Sequence, residues 1–429
     1  MSVPHLKKMA LLVGGGPAPG INGVISAVTI EAINQGVEVI GVRDGYKWLI
    51  KNDPSRMQRL EMDDVRGIHL RGGSVLGTAR ANPTKSDDDM AKVIQMLEKL
   101  EVDALVSIGG DDTAYSASQV YKKFAGKVRV AHVPKTIDND LPLHESTPTF
   151  GFETARQVGT SIIRNLAEDA RTTSRWYIVV SMGRAAGHLA LGIGKAAAAT
   201  LTIIPEEFKT RQVTVREICD IIIGSVIKEK TLGREFGTVV LAEGLLEAIG
   251  AERLSELLSQ DELGHYGRVI RDPHGHLRLG EIDLGRALKD LLTDQLAQMN
   301  LKTTFIDKDL GYELRCADPI PFDAEYTRDL GYGAFKFLRS QQSSKFGAII
   351  SYVEGQMKPL PFESMLDPVT NRMKTRQVNV DGEGYECARR YMIRLEEKDF
   401  QSRVALEQLA KTSHMTPDEF RERFGYLVS

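Results

Sequence analysis

The segment "VRVAHVPKTIDND", residues 128–140, joins an apolar run to a dense cluster of polar side chains. Its first half is rich in valine, which is typical of a strand that is covered on both faces in a parallel sheet. Its second half brings together Lys135, Thr136, Asp138, Asn139 and Asp140. An isolated D-N-D sequence favours a simple Asx turn. The interpretation therefore depends on whether other strands of the chain end in the same way.

Other short apolar runs are bounded by Gly, Pro or Asp in the same manner. They are "KMALLVGGG", "VEVIGV", "DALVSIGGDD", "WYIVVSMG", "LTIIPEE", "TVVLAEG" and "GAIISYVEG". Between them lie segments with helical periodicity: Ile21–Gln35, 86–102, Thr154–Ala170, Val213–Lys228, Asp283–Met299, Asp323–Gln341, Gly384–Leu395 and Asp399–Lys411. Strands that alternate with helices predict an α/β protein with doubly wound lobes and mainly parallel sheets.

Length and composition limit the class of protein. A chain of 429 residues exceeds what one hydrophobic core usually supports, so at least two lobes are expected. A formal net charge of −3, with both signs interspersed, gives no reason to expect a nucleic-acid or membrane-surface partner. The three cysteines are widely separated and lack CxxC spacing, which predicts reduced thiols in a cytoplasmic protein.

Polar clusters follow the predicted strands at the point where each strand ends. They read "GGGPAPG", "GGDDT", "PKTIDND", "MGRAAGH" and "AEG". Ligands of open parallel sheets bind outside the carboxyl ends of the strands. The repetition of polar clusters at this edge therefore predicts ligand binding there.

The glycine-rich turn "GGGPAPG" exposes backbone N–H groups between a strand and a helix, which suits a phosphate. A dinucleotide fingerprint is the alternative, and with it a nicotinamide-dependent oxidoreductase. Pro19 stands where that fingerprint needs Gly or Ala, which weakens this alternative. A purely structural tight turn also remains open.

In "GGDDT", Asp111 and Asp112 follow two glycines at a strand end. A carboxylate there can hold Mg²⁺ while phosphate oxygens complete the coordination shell. The alternative is that one of the two aspartates caps a helix that begins near Ala114.

Asp138 is suited to act as a general base, and Lys135 to stabilise a phosphoryl group in transfer. Together they indicate phosphoryl transfer to an alcohol. Arginines flank several strand ends and glycine turns, and their guanidinium groups match phosphate oxygens. They are Arg80, Arg175, Arg184 and Arg315. As a set they suggest a substrate that carries its own phosphate.

The motifs "GGDDT", "PKTIDND", "MGR" and "AEG", in this order, resemble those of the phosphofructokinases, over roughly residues 8–353. The resemblance implies Mg²⁺-dependent phosphoryl transfer to the 1-hydroxyl of fructose 6-phosphate. It implies a catalytic role for Asp138 as base, together with Lys135 and Thr136, and a Mg²⁺ ligand in Asp111.

The resemblance also implies two sets of binding residues. The donor set is Gly15, Arg80, Asp112 and Lys135. The sugar-phosphate set is Thr136, Asp138, Asp140, Arg175, Met182, Gly183, Arg184, Glu243, Tyr312 and Arg315. Arg175 resembles an arginine that reaches the substrate of a neighbouring subunit, which implies a homodimer or homotetramer.

Two departures from the ATP-dependent pattern concern the phosphoryl donor. ATP-dependent members read GGDG and PGTIDND, whereas this chain has Asp112 and Lys135 in place of two glycines. A carboxylate at 112 fills the space of an α-phosphate and repels it, while Lys135 compensates charge on a shorter donor. The combination resembles the pyrophosphate-dependent branch. ATP as donor, sedoheptulose 7-phosphate as acceptor, and a catalytically silent sugar-phosphate-binding regulator remain the alternatives.

The resemblance implies a division of the chain into lobes. Residues 1–150, with about 313–360, are expected to form the donor lobe, and residues 151–312 the sugar-phosphate lobe. Residues 361–429 are expected to form a helical C-terminal extension, to which the sequence assigns no role.

Overall fold

The computed structural model describes residues 6–144, 147–209, 211–250, 253, 266, 282–370 and 373–428. The strands are β1 (Lys8–Val13), β2 (Glu38–Val42), β3 (Met57–Arg59), β4 (Ala104–Gly109), β5 (Arg129–Pro134), β6 (Trp176–Ser181), β7 (Leu201–Ile203), β8 (Gly237–Ala242), β9 (Phe305–Leu310), β10 (Ala348–Val353) and β11 (Gln356–Pro361). The α-helices of the described residues begin with α1 (Ile21–Asn34), α2 (Lys47–Ile50), α3 (Met62–Val65), α4 (Asp87–Lys99), α5 (Asp111–Phe124), α6 (Phe152–Thr173), α7 (His188–Ala197) and α8 (Val215–Thr231). They continue with α9 (Leu245–Ile249), α10 (Leu284–Gln298), α11 (Tyr312–Arg315), α12 (Pro321–Leu338), α13 (Glu383–Tyr391), α14 (Glu397–Gln401), α15 (Arg403–Thr412) and α16 (Pro417–Phe424).

The chain divides into two compact units, each built from two segments. Unit 1 comprises Met1–Ala155 and Tyr312–Arg376, and unit 2 comprises Arg156–Gly311 and Gln377–Ser429. The sequence led us to expect changes of lobe near residues 150 and 312, and a separate extension from 361. The expected extension is instead divided between the units. Its part beyond residue 376 belongs to unit 2 because Leu406, Leu409, Phe420 and Phe424 are buried in that unit's hydrophobic core.

Unit 1 is built on a seven-stranded sheet with the strand order β11-β10-β5-β4-β1-β2-β3. The five inner strands are parallel, and the two outer strands, β11 and β3, pair antiparallel. At the centre, Val13 pairs with Ile108 and Gly109 pairs with Pro134. The strands β1, β4 and β5 therefore end at nearly the same level, and the polar segments that follow them start side by side.

The start of α5 corrects one sequence interpretation. The helix begins at Asp111 with Gly110 at its N-cap, and no side chain caps it. Asp111 and Asp112 therefore lie in the first turn, and neither is the cap. Negative charge in a first turn is favoured by the helix dipole. A helix starting near Ala114 was wrong, because the chain stays extended through Gly110 and turns into the helix at Asp111.

Unit 2 is built on a four-stranded, all-parallel sheet with the order β7-β8-β6-β9. Ser181 at the end of β6 pairs with Ala242 of β8 and Leu310 of β9. The residues that follow these positions therefore share one edge. In the part of the chain that the structure describes, no helix combines the length and the apolar character needed to cross a membrane.

Candidate active site

The glycine-rich turn of unit 1 is fixed by the segment that precedes Arg80. The N–H of Gly15 donates to the carbonyl of Ala79 at 3.0 Å, and Thr78 Oγ1 donates to the carbonyl of Gly15 at 2.7 Å. Gly15 has φ of 82°, a conformation that favours glycine. The turn is thus held between this segment and its own strand, and Arg80 follows directly.

Lys135 is buried against the same turn. Its side chain is 5% exposed, and its Nζ donates to the carbonyl of Gly16. A Cβ built on Gly15 would lie 3.4 Å from this Nζ. Burial lowers the pKa of Lys135 to about 8, although the nearby Asp138 carboxylate opposes the shift. The turn therefore combines glycine backbone with one buried cationic side chain.

Arg315 approaches the turn from α11. A Cβ built on Gly16 would lie 3.0 Å from Arg315 Nη1, and the guanidinium also lies 4.5 Å from the centre of the exposed Tyr312 ring. The positive charge of Arg315 contributes to the lowered pKa of Lys135. The resemblance places both residues in the sugar-phosphate set; within unit 1, Arg315 lies next to the glycine turn and Tyr312 contacts Arg315.

The loop after β5 carries Thr136, Asp138 and Asp140. Thr136 Oγ1 accepts from the N–H of Asp138 at 3.0 Å, and the carbonyl of Thr136 accepts from Thr149 Oγ1 at 2.7 Å. Burial raises the pKa of Asp140, and the neighbouring Asp111 carboxylate raises it further. The structure therefore brings Asp111 and Asp140 close enough for their charges to interact.

The carboxylates of Asp111 and Asp140 have the chemistry that a magnesium ion prefers. Among the described residues, no group of three or more His, Cys, Asp or Glu side chains is arranged to hold a metal. Mg²⁺ in phosphoryl-transfer sites usually takes one or two carboxylates and fills its remaining positions with water and substrate phosphate. Asp111 and Asp140 supply two carboxylates. Burial is the main cause of the raised pKa of Asp140, and a bound cation would offset the repulsion from Asp111 that adds to it.

Unit 2 gathers the "MGR" and "AEG" residues at one sheet edge. The N–H of Met182 donates to the carbonyl of Leu310 at 2.9 Å, and the N–H of Gly183 donates to Glu243 Oε2 at 3.3 Å. Burial raises the pKa of Glu243, while this hydrogen bond and the nearby Arg184 charge oppose the shift. Met182, Gly183, Arg184 and Glu243 therefore form one group.

Arg175 lies elsewhere in unit 2. It precedes β6, whereas Met182 follows the other end of that strand. Its carbonyl accepts from the N–H of Gly237, which begins β8. The structure therefore does not bring Arg175 together with the Met182 group within this unit.

Sequence reasoning gave no role to three residues that shape the unit 1 loops. Asn139 has φ of 55° and accepts at its Oδ1 from the N–H of Thr149 at 3.0 Å. Arg376 donates to the same oxygen from a distant part of the chain. His132 is fully buried and contacts the carbonyl of Gly109 at 3.0 Å. The asparagine between two aspartates was the only one of these with a visible signal in the sequence.

These features define a class of protein: an α/β phosphoryl-group-binding protein whose glycine turn, carboxylates and buried lysine meet at the carboxyl ends of parallel strands. The phosphofructokinase family signature matches residues 8–338. The chain belongs to the phosphofructokinase family.

Relatives and solved structures agree with this assignment. The chain is similar to pyrophosphate–fructose 6-phosphate 1-phosphotransferase of Thermotoga maritima, with 51% identity over 98% of each chain. It is 49% identical to the protein of the same name from Naegleria fowleri, over 99% of this chain and 96% of the relative. A crystal structure of pyrophosphate-dependent phosphofructokinase from Marinobacter aquaeolei superposes with a TM-score of 0.63 at 16% identity, covering 99% and 92% of the two chains. At that identity the superposition establishes the fold alone.

Proposed function

We propose that the protein transfers a phosphoryl group reversibly from pyrophosphate to the 1-hydroxyl of fructose 6-phosphate, giving fructose 1,6-bisphosphate and orthophosphate. The names of the relatives at 51% and 49% identity support this reaction. The structural observation that supports it best is the burial of the Lys135 side chain against the glycine turn. ATP-dependent members have a glycine at the position of Lys135.

Asp138 takes the proton of the sugar 1-hydroxyl as that oxygen attacks one phosphorus of pyrophosphate. Lys135, donating at the glycine turn, and Arg315 beside it stabilise the negative charge on the donor. Asp111 and Asp140 would hold Mg²⁺, which supplies charge neutralisation on the phosphate oxygens when bound. The reaction exchanges a phosphoanhydride for a phosphate ester without a nucleotide, so we expect it to be readily reversible.

We assign the donor to unit 1 through Gly15, Arg80, Asp112 and Lys135. In unit 2, we assign recognition of the sugar phosphate to Met182, Gly183, Arg184 and Glu243. In unit 1, Thr136, Asp140, Tyr312 and Arg315 keep the sugar-phosphate role that the resemblance implies. Arg175 would serve a neighbouring subunit, which is supported by its place at the opposite end of β6 from Met182. This role of Arg175 requires a homodimer or homotetramer. We propose the cytoplasm as the compartment of the protein.

Initial rates with fructose 6-phosphate and Mg²⁺, measured in parallel with pyrophosphate and ATP, test the donor. Activity with pyrophosphate and none with ATP supports the proposal, and the reverse result overturns it. Sedoheptulose 7-phosphate replaces fructose 6-phosphate in a second series, in which a higher kcat/KM would change the acceptor.

The double substitution Asp112→Gly with Lys135→Gly separates donor choice from folding. It restores the glycines of the ATP-dependent pattern, so we expect use of pyrophosphate to fall and use of ATP to rise. The matched control is Asp63→Gly with Lys99→Gly, at exposed positions of the same unit. If both double variants change the two donors equally, positions 112 and 135 do not set donor choice.

A further inference from the structure

The loop that carries Asp138 and Asp140 includes one residue whose backbone conformation needs stabilising contacts. Asn139, between the two aspartates, has φ of 55°, in the left-handed region. Asparagine enters this region more readily than most residues, but at a cost unless local hydrogen bonds stabilise it. The stabilising contacts should therefore lie around Asn139.

One side chain supplies most of these contacts. Arg376 Nε donates to the carbonyl of Asn139 at 3.1 Å, and Arg376 Nη2 donates to Asn139 Oδ1. Arg376 Nη1 donates to the carbonyl of Thr147 at 2.9 Å and to that of His144 at 3.2 Å. The backbone N–H of Arg376 donates to the carbonyl of Asp140 at 2.7 Å. A single residue thus ties the loop from position 139 to position 147.

We propose that Arg376 is a positioning residue that sets the backbone of Asp138 and Asp140. It acts through Asn139, whose Oδ1 accepts from Arg376 and from the N–H of Thr149 together. The planar guanidinium meets the carbonyl and the side-chain oxygen of Asn139 at once, a two-point contact that lysine cannot reproduce. This inference rests on the proposed function, because it assigns Asp138 as the base.

The expected consequence is kinetic. A displacement of about 1 Å at a reacting group can cost about 10²-fold in rate. Arg376→Ala should therefore lower kcat by about 10²-fold, with a smaller change in the KM for fructose 6-phosphate. Arg376→Lys keeps the charge and loses the two-point contact, so its kcat should lie between those of the parent and Arg376→Ala.

Chemical rescue distinguishes positioning from general stability. Guanidinium ion at tens of millimolar should raise the kcat of Arg376→Ala several-fold, with no gain for the parent or for Arg66→Ala, a substitution at an exposed arginine of the same unit. All rates are referred to the folded fraction measured by circular dichroism. A kcat within threefold of the parent, or an Arg376→Ala defect that guanidinium does not change, would overturn the proposal.

Coupling to Asn139 provides a second readout. Asn139→Gly keeps access to positive φ while removing the shared oxygen. If Arg376 acts through Asn139, the double variant should lose little more activity than the worse single variant. Multiplication of the two single losses would contradict this route.

Hydrogen exchange followed by mass spectrometry tests the role of Arg376 without depending on which reaction the protein catalyses. Peptides covering residues 136–150 should exchange faster in Arg376→Ala than in the parent, whatever reaction the protein catalyses. A parent without activity toward pyrophosphate and fructose 6-phosphate would overturn the proposed function. Unchanged exchange in Arg376→Ala would overturn the role of Arg376 alone.

Discussion

The two units place polar groups at the carboxyl ends of parallel strands, but they use different chemistry there. In unit 1, a lysine that is only 5% exposed lies among carboxylates and beside a glycine turn. In unit 2, a short turn with Gly183 at φ of 131° is anchored on Glu243. Buried opposite charges suit a site where charge develops during a reaction, whereas an anchored turn suits recognition of a stable group. The comparison predicts that unit 1 substitutions affect turnover and unit 2 substitutions affect sugar binding.

Asp138→Asn is expected to have the largest effect. Removing a general base typically costs about 10²–10⁴-fold in rate, so kcat should fall by this factor. The dissociation constant of fructose 6-phosphate, measured by calorimetry, should change by less than about threefold because the side-chain shape is kept. Asp63→Asn, at an exposed carboxylate of unit 1, is the control. A large loss of sugar affinity with an unchanged kcat would remove the distinction between the units.

Lys135→Met should lower kcat/KM for pyrophosphate by about 100-fold, the typical effect of deleting one charged donor at a developing charge. Because burial lowers the pKa of Lys135 to about 8, its charge is present below that pH and is lost as pH rises through it. The parent kcat/KM for pyrophosphate should therefore decline above about pH 8. In Lys135→Arg this decline should disappear, because a guanidinium stays charged. A decline that persists in Lys135→Arg would assign it to another group.

Glu243→Gln tests the role of unit 2 in sugar binding. The amide keeps an acceptor for the N–H of Gly183 but removes the charge beside Arg184. We expect the KM for fructose 6-phosphate to rise about tenfold, with kcat and the KM for pyrophosphate nearly constant, as for loss of uniform binding. Steady-state kinetics with each substrate varied in turn measure this. A fall in kcat alone would place Glu243 with the unit 1 residues.

The smallest expected effect concerns His132 and the pH dependence of the free energy of unfolding. Burial lowers the pKa of His132 to about 3, so the folded protein keeps this ring neutral while the unfolded chain protonates it near its ordinary value. Stability is therefore fully present above about pH 6.5 and falls as pH drops below it, by up to about 1.4 kcal/mol per pH unit. Hydrogen exchange of peptides from β4 and β5 between pH 7.5 and 5, corrected for intrinsic rates, measures it.

His132→Gln should flatten this pH dependence, because no ring remains to be protonated in the unfolded chain. His69→Gln serves as the control in the same unit. If both variants keep the acid dependence of the parent, another group beneath the unit 1 loops is responsible.

The strands that carry the polar clusters were predictable because both of their faces are buried. β4, for example, is buried at every position, and a continuous apolar run is what such a strand requires. β9 was missed for the opposite reason. Its sequence "FIDKDL" carries three successive charges on an edge strand, where Asp307 pairs with Lys289 at 2.6 Å. Its short apolar ends do not show a strand pattern.

The sequence predicted some residues of the unit 1 site and not others. The clusters around Asp111 and Lys135 were identified as belonging to one edge, since parallel strands that end in register bring their continuations together. The contacts of Arg376 were not, because this residue meets Asn139 across 237 positions of sequence and lies in no periodic segment. Long-range hydrogen bonds of this kind leave no local pattern in a sequence.

The two-segment construction of unit 1 has a consequence for how the protein is made. When the ribosome has delivered residues up to 155, the sheet lacks β10, so β5 is an open edge. The strand that covers this edge and the arginine that holds the loop at 139 arrive only after the first segment of unit 2 has been synthesised. Unit 1 therefore cannot finish folding in the order of its synthesis, and the loop with Asp138 reaches its final shape late. A nascent chain that pauses before residue 376 would carry both units unfinished.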